Sequence, residues 1–240
     1  MFCPYEWNID EVHEMISEID IYYQGWLKYN NDKEKIMEVR RTLAYDEIER
    51  MVETISSLGY QKDDVFLTEG FELVEALAVV DVLRRASIDV VTVSIMDKKT
   101  VMSAQKVEVV ADTMFADNDY SKADVLFLPG GPGTKGLEAH EGLVAVLKKH
   151  FADGKQLAAI CAAPSVFGHL GFLEGKQATC FPGFEGELRG AQFVPERVVC
   201  DGNIVTSRGM GTAIDLGLCL VGRLVSDKIS GMLAHSIQYK

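Results

Sequence analysis

Over roughly the first quarter of the chain, apolar residues recur at steps of three and four: Ile9, Val12, Ile16, Ile19, Tyr23 and Trp26, then Ile36, Val39, Leu43, Ile48, Met51, Val52 and Ile55. Residues so spaced share one face of a helix, and the segment predicts two amphipathic helices turning through 29–32. Asn8 with Glu11, and Asn31 with Glu34, set an N-cap amide three residues ahead of a carboxylate that reaches back, and Gly59 supplies a stop. From Val65 onward short apolar runs alternate with helical stretches, the pattern of a mostly parallel sheet covered on both faces. Strands are expected over 65–68, 90–95, 125–128 and 157–160, with helices over 72–86 and 141–152 and another after Pro164. Asp201-Gly202-Asn203 is a tight-turn sequence between runs at 197–200 and 204–207, which predicts a hairpin at one sheet edge, and the last long helix is expected over 212–225. The organisation expected is therefore a helical hairpin over 1–62 and an α/β domain over 63–240.

Composition narrows the partners. The 240 residues carry 24 bases and 36 acids, a net charge of −12, so the field of the molecule repels phosphate backbones and anionic lipid. Nucleic acid and membrane surfaces are not expected partners. Residues 1–62 hold 13 acids and 7 bases, a net of −6, half of the total charge. No chemistry is visible there, and the aromatic stripe of that segment reads as a face packed on the neighbouring domain. No apolar run approaches the ~18 residues of a membrane helix, and residues 1–10 lack a basic stretch followed by an apolar one, so a cytoplasmic location is expected. The five cysteines, Cys3, Cys161, Cys180, Cys200 and Cys219, are odd in number with no pair spaced two apart. Neither a disulfide framework nor a metal site is signalled, and Cys180, Cys200 and Cys219 read as small core side chains.

In such sheets the chemistry gathers in loops at the carboxyl ends of the strands. Three of these loops stand out. Thr68-Glu69-Gly70-Phe71-Glu72 leads into a helix whose early turns carry Glu75. Leu128-Pro129-Gly130-Gly131-Pro132-Gly133 leaves backbone N–H groups free to line a small anion-accepting nest. Ala158-Ala159-Ile160-Cys161-Ala162-Ala163-Pro164 reads as a buried strand, a cysteine collared by small residues, and a proline suited to an early helix position. That is the pattern of a nucleophile elbow, in which bulky neighbours would clash with the strained turn. The helix N-terminus favours an anion, so the Cys161 thiol is expected to titrate below its usual ~8.5.

These segments, with Val80-Asp81-Val82-Leu83-Arg84-Arg85-Ala86 and Thr206-Ser207-Arg208-Gly209-Met210-Gly211-Thr212, occur in an order and spacing that resembles the ThiJ/PfpI superfamily from about Val65 to the C-terminus. Within it, the closer likeness is to the branch of the parkinsonism-associated protein and bacterial YajL. The resemblance implies a flavodoxin-like doubly wound sheet, a homodimer, Cys161 as nucleophile, and Glu75 as a protonated carboxylic acid hydrogen-bonded to its sulfur. It further implies an anion hole in the Gly130-Gly131 loop, formed by the N–H groups of Gly131 and Ala162, with Arg85 near the same pocket.

Two departures shape the functional expectation. Peptidase-like members carry histidine directly after the cysteine where this chain has Ala162, which speaks against a Cys-His peptidase. Some relatives place a pocket histidine where Phe181 stands, leaving Glu75 as the evident proton carrier. The resemblance thus implies cofactor-free glyoxalase III-like or deglycase-like chemistry on small aldehydes or glycated substrates. The alternative is an oxidative-stress sensor or chaperone that uses oxidation of the same cysteine.

Overall fold

The computed structural model describes residues 62–239; the helical hairpin expected ahead of them lies outside the described residues. The strands that build the central sheet are β1 (Lys62–Leu67), β2 (Asp89–Ser94), β5 (Thr113–Met114), β6 (Val125–Leu128), β7 (Gln156–Ile160), β10 (Val198–Asp201) and β11 (Ile204–Ser207). They lie in the order β10-β11-β7-β6-β1-β2-β5. All neighbours are parallel except β10, which returns antiparallel to β11 through the Asp201-Gly202-Asn203 turn. A β2-β1-β6-β7-β11 core is the flavodoxin-like doubly wound order, with its switch point between β1 and β6.

The central strands are apolar runs because both their faces are covered; every residue of β6 is buried. On one face lie α1 (Leu73–Arg85), α5 (Ala213–Leu224) and α6 (Asp227–Ser236), gathered with Val65, Leu67, Phe127 and Ile160 into one core. On the other, α2 (Thr134–Ala139), α3 (Glu141–Ala152) and α4 (Pro164–His169) bury Leu137, Leu143, Leu147 and Phe167 against Phe66, Leu126 and Leu157. Helix α1 shows how sequence makes the element. Its Ala76, Val79, Val80 and Leu83 recur at helical spacing and are buried, Glu72 caps its start by accepting from the Glu75 N–H at 3.0 Å, and Arg84 and Arg85 close its last turn.

The expected elements agree with these within a few residues, but β1 starts earlier than expected, and Lys62, placed with the hairpin on sequence grounds, opens it. Asp63 and Asp64 masked the strand: both are fully buried although charged residues seldom are. The edge strand β5, the two-stranded ladder of β3 (Thr100–Met102) and β4 (Glu108–Val110), the pair β8 (Gln177–Ala178) and β9 (Gln192–Phe193), and helices α2 and α6 were not anticipated. Apart from α6, these elements are too short to show a period. Among the described residues no helix is long and apolar enough to cross a membrane.

Candidate active site

Cys161 directly follows β7 and has φ of +66°, one of few non-glycine residues among those described in the left-handed region. That conformation costs about 1 kcal/mol and is held from both sides. The Cys161 N–H donates to Ser207 O at 3.0 Å, and the Phe181 N–H donates to Cys161 O at 2.9 Å. Ala163 then donates back to Ile160 O at 3.0 Å, closing the turn into α4 with Pro164 at its start. The elbow expected from sequence is therefore present, and the small collar is required: Ala162 and Ala163 are buried.

Gly130 and Gly131 show why the facing loop needs glycine. A Cβ on Gly130 would lie 2.5 Å from Cys161 Cβ and 2.6 Å from Glu75 Oε2, so this residue is the spacer that lets sulfur and carboxyl share one space. Gly131 has φ of +94°, and a Cβ there would meet Glu72 N at 2.6 Å and Gly70 O at 2.7 Å. The loops after β1 and β6 are laced together by Glu72 N–H to Gly130 O at 3.0 Å and Gly133 N–H to Gly70 O at 3.0 Å.

Glu75, 1% exposed, accepts from the Gly130 N–H at 3.0 Å across 55 positions of sequence. Burial raises its carboxyl from 4.5 to about 7, against hydrogen bonds from Cys161 and from the Gly130 and Met210 N–H groups. For Cys161 the sequence expectation of a lowered thiol pKa is not met. Burial, the Glu75 charge and the hydrogen bond to Glu75 push the thiol up to about 12, while the Gly131 and Ala162 N–H groups pull it down. The following helix has six residues, a short dipole set against the desolvation of a half-buried sulfur. The two groups share a proton. Once Glu75 holds it, the carboxylate charge is gone and its O–H can donate to sulfur, so two of the three influences raising the thiol disappear.

The structure thus brings Cys161, Glu75, Gly130, Gly131 and Ala162 together and leaves Arg85 out. Arg85 lies in the last turn of α1, about 15 Å of helix rise from Glu75, with an exposed side chain held by Asp81 at 2.7 Å. Within this chain Arg85 pairs with Asp81, its neighbour on the same helix. Sequence reasoning gave no role to the segment after β11. Met210 offers its N–H to Glu75, and a Cβ on Gly209 would sit 3.6 Å from Glu75 Oε1 and 3.2 Å from the half-exposed Phe181 ring. Among the described residues the histidines lie elsewhere: His140 caps α3, His150 bonds to Gln156 O and Asp124 O, His169 bridges Glu138 and Glu187, and His235 sits in the last turn of α6. Of the other thiols, Cys180 is buried as expected, but Cys200 is exposed on the edge strand.

A parallel sheet whose central strand ends in a left-handed cysteine, with a buried carboxyl and backbone donors facing its sulfur, defines an α/β protein of the nucleophile-elbow class. This chain belongs to the DJ-1/PfpI family, which residues 64–223 match. It is 42% identical over 162 residues to Protein DJ-1 homolog B of Arabidopsis thaliana, covering 66% of this chain and 37% of that one. With Protein dj-1beta of Drosophila melanogaster it shares 36% identity over 163 residues, 67% of this chain and 87% of that one. A Pyrococcus horikoshii protein named a deglycase is 31% identical over 147 residues, 60% of this chain and 88% of that one. The chain spans 37% and 45% of the length of the two Arabidopsis relatives. The crystal structure of Drosophila DJ-1beta superposes with a TM-score of 0.72 at 32% identity, over 75% of this chain and 98% of that one.

Proposed function

We propose that this protein is a cofactor-free, cysteine-dependent glyoxalase III-like or deglycase-like enzyme acting on small reactive aldehydes such as methylglyoxal. The observation that carries the reading is the convergence of the Cys161 sulfur, a Glu75 carboxyl titrating near 7 and the Gly131 and Ala162 N–H groups on one strand end. The deglycase names of archaeal relatives support it.

The chemistry follows from those groups. With the proton on Glu75, the Cys161 thiolate adds to the aldehyde carbon, and the new alkoxide takes the proton to give a hemithioacetal. The Glu75 carboxylate then removes the hydrogen from that carbon and returns it to the adjacent carbonyl carbon, while the hydroxyl proton of the hemithioacetal passes to the oxygen of that carbonyl. A thioester results, with backbone N–H groups receiving the oxyanion. Water cleaves the thioester to the hydroxy acid and restores the thiol. Phe181, half exposed at the rim, supplies an apolar wall. We take the functional unit to be a homodimer.

Purified protein with methylglyoxal is expected to form lactate. Cys161→Ser is expected to reduce the rate to background and Glu75→Gln by about 10²-fold or more. Unchanged lactate formation by Cys161→Ser sinks the mechanism.

A second reading, oxidation sensing at the same sulfur, is favoured by the two N–H groups aimed at it, and a solved neighbour is titled oxidized Toxoplasma gondii DJ-1. Mild peroxide is then expected to place two oxygens on Cys161 before Cys180 reacts, read by mass spectrometry.

A further inference from the structure

Well away in sequence from the elbow, two other cysteines meet. Cys200 on β10 and Cys219 on α5, 19 positions apart, hold their sulfurs 3.1 Å from each other. Cys200 is exposed and Cys219 half-buried, so an oxidant reaches the pair from solvent. Cys219 also lines a cleft of about 370 Å³ with Arg197, Asp215, Arg223 and Tyr239. Arg223 is fixed there by Gln156 Oε1 at 2.7 Å and Gly202 O at 2.7 Å. Both partners are neutral, and the carboxylate of Asp227 shares the cleft with the guanidinium and opposes its effect on Cys219.

We propose that Cys200 and Cys219 form a second, redox-active dithiol site that hydroperoxides convert to a disulfide, separate from the Cys161 centre. The hydrogen bond with Cys219 and the charge of Arg223 lower the Cys200 thiol against its burial, while the same contact raises Cys219, so Cys200 is the member of the pair that ionises first. The reaction balances with one peroxide. The Cys200 thiolate attacks the distal peroxide oxygen, the O–O bond breaks, and the leaving oxygen departs as water or an alcohol after taking a proton. The resulting sulfenic acid is attacked by the Cys219 sulfur, which loses its proton as hydroxyl leaves as water. Two thiols are oxidised and one peroxide is reduced.

The site also has structural reach. The segment between the two cysteines contains β11, whose Ser207 O anchors the Cys161 N–H, and the Met210 N–H that faces Glu75. A disulfide there ties the edge hairpin to α5 around that segment.

The test treats the full chain and its Cys161→Ser variant with hydrogen peroxide, blocks remaining thiols with N-ethylmaleimide, and maps peptides by mass spectrometry. A peptide linking Cys200 to Cys219 is expected in both proteins, formed at least tenfold faster than any modification of Cys180. Because the link forms without Cys161, its failure is distinguishable from failure of the aldehyde chemistry. In Cys219→Ser the sulfenic acid at Cys200 is expected to persist and be trapped by dimedone. In Cys200→Ser neither product is expected. The linked protein is expected to unfold roughly 6–12 °C higher, from closing a loop of about 20 residues. The proposal is overturned if both cysteines remain alkylatable after Cys161 is oxidised, or if Cys200 links to another cysteine instead.

Discussion

Replacing Glu75 by glutamine removes a titrating proton while preserving size and hydrogen-bonding capacity, and the structure sets how much stability this redistributes with pH. Burial raises the Glu75 carboxyl from 4.5 to about 7, and the residue is 1% exposed, so solvent screens little of the effect. Between those values the folded protein binds more protons at this site than the unfolded chain, and stability falls as pH rises. The contribution is fully present below 4.5 and lost by the time the pH has passed through 7. A displacement of that size is worth about 3 kcal/mol. Urea unfolding at pH 4.5 and pH 8 measures it. The wild type is expected to lose about 3 kcal/mol more over that interval than Glu75→Gln. Asp63 and Asp64, also raised by burial, are present in both proteins and cancel in the comparison. If the two proteins lose stability in parallel, within about 0.5 kcal/mol, the desolvated carboxyl is not what the site contains.

Two further outcomes separate the site from its surroundings. Gly130→Ala places a Cβ within 2.8 Å of Cys161 Cβ, Glu75 Oε2 and Ile160 O and is expected to cost about 1–3 kcal/mol, read as a lower unfolding midpoint. Gly211→Ala, with nothing within 4 Å of its new Cβ, serves as the neutral control. Arg85→Ala, at the far end of α1 and bound to Asp81, is expected to leave methylglyoxal turnover within about twofold of wild type; a large loss would return Arg85 to the pocket by way of a second subunit.

The elements that sequence made legible are those in which burial imposes a period. The Ala76, Val79, Val80, Leu83 stripe of α1 and the unbroken VLFL of β6 are direct consequences of covering one helix face and two strand faces. Asp63 and Asp64 defeated the same logic at the start of β1. Both carboxylates are buried, Asp64 with Lys62 Nζ 3.9 Å away, yet the strand pairs with β2 from Lys62 onward. The site was legible as residue types at strand ends, because Cys161, Glu75 and the glycine pair each break the local pattern in a way that packing does not require. Their mutual placement was not. Gly130 and Glu75 are 55 positions apart, and their contact depends on β1 and β6 lying side by side. Arg85, named from the resemblance alone, lies on the same helix as Glu75 but about 15 Å of helix rise away within this chain.

The thiol shows why a local reading of charge misleads here. Read alone, Cys161 sits at a helix start among small residues and ought to ionise easily. Read in place, it is desolvated beside a second acid, and its own ionisation is pushed up to about 12. Yet the pair releases its first proton near 7, and the charge left behind is divided between sulfur and carboxyl by the donors each can reach. Gly131 and Ala162 serve the sulfur, and Gly130 and Met210 serve the carboxyl. The reactive thiolate fraction therefore rises as the pair loses that first proton and then holds level until the second is lost. Its height depends on the contest between two sets of backbone N–H groups and not on the thiol alone.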